Sequence, residues 1–120
     1  MSTTLTILPL TQNGVPSGNY DGSSTDFDSD GAKAVGYYRG LGSIQTVYQR
    51  VTGFQGVITL QATLDQNWEE ANWVDVNVFS DGSTVETGVY PVSLTGNYTW
   101  MRAHITDFTA GTIDSISISY

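Results

Sequence analysis

The sequence contains no cysteine, few basic residues and no long apolar run. The absence of cysteine excludes disulfide bonds, thiol catalysis and cysteine-based zinc sites. Four Lys and Arg residues stand against twelve Asp and Glu residues, which gives a formal net charge of −8. Because binding to nucleic acid or to an anionic membrane surface requires clustered positive charge, we expect neither partner. No run approaches the ~18 apolar residues of a membrane-spanning helix, and we expect no secretory signal at the start of the sequence.

Strong helix formers are also scarce. The sequence has 6 Ala and 1 Lys, against 11 Val, 7 Ile and 16 Thr. Branched side chains fit the half-buried surface of a sheet better than a helix. A length of 120 residues suits one domain. The composition therefore predicts a single all-β domain spanning residues 1–120.

Alternating apolar and polar residues locate the strands, because successive side chains of a strand point to opposite faces. The alternation is clearest in four segments. The residues it places inward are Ile58, Leu60, Ala62 and Leu64, then Val74, Val76 and Val78, then Met101, Ala103 and Ile105, and finally Ile116, Ile118 and Tyr120. Asp81-Gly82 predicts a hairpin turn. About eight such strands indicate an antiparallel β-sandwich of jelly-roll type, with an open barrel as the alternative.

The first quarter of the chain differs from the rest. Residues 3–10 begin as a strand, but Pro9 confines that strand to an edge or a bulge. We interpret residues 1–12 as an arm that could pair with the sheet of a neighbouring subunit. Residues 12–31 are acidic, rich in Gly and Ser, and almost free of aliphatic side chains. A segment of this kind predicts a long loop.

One motif in this loop has the spacing of a calcium site. Asp26, Asp28 and Asp30 occupy alternate positions and precede Gly31, as in the first half of a calcium-binding loop. The Glu expected at position twelve is absent, because Tyr37 stands there. The motif therefore predicts either a looser Ca²⁺ site at these three aspartates or a solvated acidic loop.

The sequence offers little for catalysis. His104 is the only histidine, and no motif places a nucleophilic serine beside a histidine. Adjacent acidic residues such as Glu69 and Glu70 do not face one another across a cleft, as glycosidase chemistry requires. We therefore expect a non-enzymatic protein without a catalytic residue.

Aromatic residues in phase with polar neighbours form the remaining candidate site. The residues concerned are Trp73, Asp75, Asn77, Trp100 and Arg102. Flat rings beside amides and carboxylates are typical of glycan-binding faces, and Trp, Tyr and Arg are enriched at subunit interfaces. The same pattern would describe a packed core if the two strand faces were reversed. These three interpretations stay open.

Two stretches of the chain resemble a known family. One comprises GFQGVITLQATL at 53–64 and WVDV at 73–76; the other comprises GNYTWMRA at 96–103 and FTAGTI at 108–113. Together they resemble small β-sandwich virion structural proteins of tailed bacteriophages, notably those that infect cyanobacteria. The similar region runs from about residue 37 to residue 120. It includes no catalytic motif.

The resemblance implies a non-enzymatic structural role in the virion. Its simplest form is a capsid decoration or cement subunit, and we expect a homo-oligomer that binds other virion proteins. A neck, baseplate or tail-fibre component is the first alternative, and a carbohydrate-binding or adhesin module is the second. Because one fold hosts many functions, the resemblance alone does not select among them.

Overall fold

The computed structural model describes residues 4–38 and 44–120, without the side chain of Tyr38. Residues 1–3 of the predicted arm and the predicted break at residues 40–42 lie outside this part. The described chain contains no α-helix, and none of its helical turns could cross a membrane. The all-β prediction is confirmed.

In the described ranges, eight strands make up a single antiparallel sheet. They are β1 (Thr4–Leu8), β2 (Thr11–Gln12), β3 (Phe27–Asp28), β4 (Ala32–Lys33), β5 (Ile44–Thr63), β6 (Val74–Phe79), β7 (Glu86–Thr95) and β8 (Trp100–Ser119). Two 3₁₀ turns, Val35–Tyr38 and Trp68–Glu70, lie between them.

The two strands of 20 residues, β5 and β8, pair with each other along most of their length. Their register shifts between Arg50 and Val57, where Gly53 and Gly111 adopt positive φ. Shifts and left-handed residues of this kind bend a sheet. On one side of the shifts, β1 and β7 flank the pair and form the first half-sheet; on the other, β3, β4 and β6 flank it and form the second half-sheet.

Buried residues from both half-sheets form one apolar cluster. Val47 and Ile118 come from the first half-sheet, and Leu60 and Ile105 from the second. Each half-sheet therefore has an inner face toward this cluster and an outer face away from it. Whether the halves form a jelly-roll sandwich stays a prediction, since the described strands belong to one hydrogen-bonded sheet.

The predicted alternation is confirmed along β5 and β8. All the inward residues predicted on β8 are buried, and Ile58, Leu60 and Ala62 are buried on β5. Tyr120 packs against the core while partly buried. The prediction for Leu64 is wrong, because Leu64 follows the end of β5 and is 69% exposed.

The prediction for β6 is wrong in part. The register pairs Leu60 with Asn77 and Gln61 with Asp75, so Val76 is an additional residue on the β6 side. Such a bulge exchanges the two faces of the strand beyond it. Val78 accordingly lies opposite Thr59 on the outer face and is 60% exposed. Val74, at the start of β6, is 54% exposed, so Val76 alone of the three predicted residues packs against the core.

The hairpin predicted at Asp81-Gly82 is also wrong. Strand β6 pairs with the end of β5, whereas β7 pairs with its beginning. The turn at residues 80–83 therefore carries the chain from one half-sheet to the other.

The first quarter of the chain packs against the core, although residues 13–26 contain no strand. Tyr20 and Phe27 are buried and pack against Phe108, with ring centroids 5.4 and 6.2 Å from it. Strands β1 and β2 pair with β8 of the same chain. An additional role of this segment in pairing with a neighbour stays a prediction.

Candidate binding face

The outer face of the second half-sheet combines aromatic and charged side chains. We call it the polar–aromatic face, and its members are Asp28, Lys33, Tyr37, Gln61, Trp73, Asp75, Trp100, Arg102 and His104. Cross-strand pairing positions these residues in rows, because paired residues of antiparallel strands share a face. One row joins Asp75, Gln61 and Arg102 across β6, β5 and β8.

Two hydrogen bonds between side chains hold this row in place. The Arg102 Nε donates to the Gln61 Oε1 at 2.8 Å, and the Gln61 Nε2 donates to the Asp75 Oδ1 at 2.9 Å. The Arg102 guanidinium also lies 4.6 Å from the centroid of the Trp73 ring. A guanidinium held by an amide and an aromatic ring loses little further freedom when it binds a partner.

A second row contains the histidine. It joins Thr59, His104 and Asp28 across β5, β8 and β3. The His104 Nδ1 is hydrogen-bonded to the Asp28 Oδ1, and the Asp28 Oδ2 lies 3.7 Å from the Arg102 Nη1. Asp28 therefore connects the two rows.

A third group lies at the end of β8. Trp100 pairs with Lys33 of β4, and its ring meets Tyr37 edge-on at a centroid distance of 5.1 Å. The Lys33 ammonium lies 4.6 Å from the centroid of the Tyr37 ring. The Trp100 indole donates to the Gln66 carbonyl at 2.9 Å, which fixes the ring.

The structure brings four of the five predicted face residues together: Trp73, Asp75, Trp100 and Arg102. Asn77 lies apart, because its pairing with buried Leu60 places it on the inner face. Sequence reasoning missed Asp28 and Lys33 as members of the face. Gln61 could have been found, since the alternation of β5 already pointed it outward. Strands of two residues such as β3 and β4 give no such signal.

The three aspartates of the predicted Ca²⁺ site bond to different partners. Asp26 accepts from the Asp107 backbone at 3.2 Å, Asp28 bonds to His104, and Asp30 accepts from the Asn19 side chain at 2.9 Å. No group of three or more His, Asp or Glu side chains in the described ranges is arranged to hold a metal ion. Calcium binding by this loop stays a prediction.

The polar–aromatic face contains charged side chains of both signs. It contains two of the four Lys and Arg residues of the chain, Lys33 and Arg102, and two of its twelve acidic residues, Asp28 and Asp75. Its fixed charges thus balance on a molecule of net charge −8. In residues 4–38 and 44–120 no Ser or Thr hydroxyl is hydrogen-bonded to His104, whose Nδ1 bonds to Asp28.

Neither family models nor curated protein sequences provide a relative of this chain. No protein-family model matches the chain, and no curated protein sequence matches it significantly.

Proposed function

We propose that this protein is a non-enzymatic virion subunit that binds a neighbouring virion protein through the polar–aromatic face. The observation that carries the proposal is the fixed cluster of Arg102, Trp73, Gln61 and Asp75 on an exposed sheet. Trp and Arg contribute more than their share of binding energy at protein interfaces. A capsid decoration or cement subunit is the simplest such role, and a neck, baseplate or fibre position is the alternative.

The sequence blocks that carry the phage resemblance support this choice of face. Within these blocks, residues 60–63 and 100–103 pair as adjacent strands, and together they supply Gln61, Trp100 and Arg102. Several residues of the polar–aromatic face therefore lie in the sequence blocks that resemble the phage proteins.

The edge of the sheet formed by β6 and β7 supports recognition through a face instead of through that edge. Strand β7 carries Pro91, which lacks a backbone N–H, and β6 is short and bulged. Proline and bulges protect edge strands from pairing with other chains.

The contact between Trp73 and Arg102 favours a protein partner over a glycan. A sugar stacks on an open ring face, whereas the guanidinium already covers one face of Trp73. Residues of this kind at a protein interface act as a preformed anchor.

The proposal is tested by incorporation into particles of the virus that encodes the chain. We expect the wild-type protein to sediment with purified particles. Arg102→Ala and Trp73→Ala should remain in the soluble fraction, because each removes one partner of the fixed cluster. Val89→Ala, at an exposed position of the edge strand β7, is the matched surface control and should be incorporated normally.

Two results would contradict the proposal. One is absence of the wild-type protein from particles. The other is normal incorporation of both Arg102→Ala and Trp73→Ala, which would place the binding surface elsewhere.

A further inference from the structure

The outer face of the first half-sheet has a different chemistry, dominated by hydroxyl groups. One cross-strand row consists of Thr4, Ser119, Thr46 and Ser93 on β1, β8, β5 and β7. Its hydroxyls bond in pairs: the Thr4 Oγ1 donates to the Ser119 Oγ at 3.3 Å, and those of Thr46 and Ser93 lie 3.1 Å apart. Because a hydroxyl can donate one hydrogen bond and accept two, these groups retain capacity for a ligand.

An exposed ring lies beside this row. Tyr48 is 52% exposed and is paired with Ser117 on one side and Pro91 on the other. Thr4, Thr46, Tyr48, Ser117 and Ser119 line a shallow hollow in the sheet. The hollow therefore combines one aromatic surface with several hydroxyls.

Charged side chains that could bind hydroxyl groups lie next to the ring. Arg50 follows Tyr48 on the same face of β5, is exposed, and forms no ion pair with any residue of the described ranges. Asp114 lies nearby, where its Oδ2 accepts from the Thr52 Oγ1 at 2.8 Å. A guanidinium presents parallel N–H donors, and a carboxylate presents paired acceptors, so both can engage adjacent hydroxyls.

We propose that this hollow binds a neutral polysaccharide, with Tyr48 stacking on a sugar ring and Arg50 bonding to its hydroxyls. A sugar offers an apolar C–H face together with a rim of hydroxyls, which matches a ring surrounded by Ser and Thr. The net charge of −8 repels acidic polymers at long range, and therefore selects neutral glycans. This site is separate from the polar–aromatic face and extends beyond the proposed function.

The test is a titration of the full chain, labelled with ¹⁵N, with neutral gluco-, manno- and galacto-oligosaccharides. A uronic acid oligosaccharide serves as the acidic comparison. We expect a neutral oligosaccharide to shift the amide signals of residues 46–50 and 115–119, with a Kd on the order of 1 mM. Tyr48→Ala should weaken binding about tenfold or more, as for loss of a central aromatic contact.

Two control variants keep the result interpretable. Tyr48→Phe should retain binding, because the ring remains. Trp73→Ala, on the other half-sheet, should also retain it, so that this proposal and the proposed function can fail independently. The proposal is overturned if no neutral oligosaccharide shifts these signals, if only the uronic acid oligosaccharide does so, or if Tyr48→Ala binds like the wild type.

Discussion

At the residue scale, two buried glutamines of β5 differ in whether their side-chain amides have hydrogen-bond partners. Gln45 and Gln49 are both fully buried. The Gln45 amide donates to the carbonyls of Leu94 and Gly96, each at 3.0 Å, and accepts from the Val35 N–H at 3.2 Å. The Gln49 amide has no hydrogen-bond partner among the described residues. We therefore expect the Gln45 side chain to stabilise the fold and the Gln49 side chain to destabilise it.

Replacement of each glutamine by Met, which has a similar volume, tests this difference. Gln45→Met should lower the free energy of unfolding by about 2–4 kcal/mol, because it leaves a buried N–H and two carbonyls without their partner. Gln49→Met should raise it by about 1–3 kcal/mol, because a buried amide without a partner is removed. Urea denaturation of the two variants measures both effects. Equal losses of stability in the two variants would contradict this account.

A pH effect is expected at Asp21. The backbone N–H groups of Ser23 and Ser24 donate to its carboxylate, and these bonds lower its pKa from 3.8 to about 2. Since the folded pKa lies below the unfolded one, the carboxylate stabilises the fold above about pH 3.8 and loses that effect as the pH falls through 2.

Asp21→Ala should therefore lower the Tm at pH 7, and the difference from the wild type should shrink as the pH falls from 4 toward 2. Thermal unfolding followed by circular dichroism at each pH measures it. A difference in Tm that is constant over this range would show that the carboxylate charge is not responsible.

At the scale of elements, the bend of β5 and β8 depends on two glycines in contrasting surroundings. A Cβ at Gly111 would overlap the backbone of Gly53, whereas a Cβ at Gly53 would meet nothing within 4 Å. Both residues have positive φ, at 88° and 59°. Only Gly111 therefore combines an unfavourable conformation with a steric clash.

The corresponding prediction compares Gly111→Ala with Gly53→Ala. Gly53→Ala should cost about 1–2 kcal/mol, the penalty for a left-handed L-residue. Gly111→Ala should cost about 3–5 kcal/mol, because displacement of packed backbone is added to that penalty. Chemical denaturation measures the difference. Equal costs would mean that the strands do not approach closely at the bend.

The elements also show what the sequence can predict. Alternation located the buried residues of β5 and β8 because those strands are long and have one face against the core. It failed at Val78, because the bulge at Val76 arises from pairing with β5. It could not show that residues 44–52 and 57–63 form one strand, since Gly53 and Gly56 resemble a break. Turn residues alone did not reveal that β6 and β7 occupy different half-sheets.

For the candidate face, the alternation of residues found members on or next to β6 and β8 and missed members on the two-residue strands β3 and β4. Trp100 and Arg102 were predicted from the alternation of β8. Asp28 joins them only because β3 pairs with β8 across a separation of 76 residues. Contacts between such distant segments have no local signal in a sequence.

At the scale of the whole molecule, the net charge opposes association between copies of the chain. A net charge of −8 makes free subunits repel one another, and dissolved salt screens this repulsion over a Debye length of about 10 Å at 0.1 M. Self-association should therefore strengthen between about 10 and 300 mM NaCl. Sedimentation velocity at several salt concentrations measures it. Dissociation of oligomers by added salt would instead indicate attraction between charged faces.

We propose that the polar–aromatic face is the surface that binds a neighbouring virion protein. Hydrogen–deuterium exchange of the chain in intact particles, compared with the free protein, tests this claim most directly. The account predicts added protection in residues 26–33, 59–63, 73–78 and 100–106. Protection confined to residues 44–52 and 86–95, or no change in any segment, would contradict it.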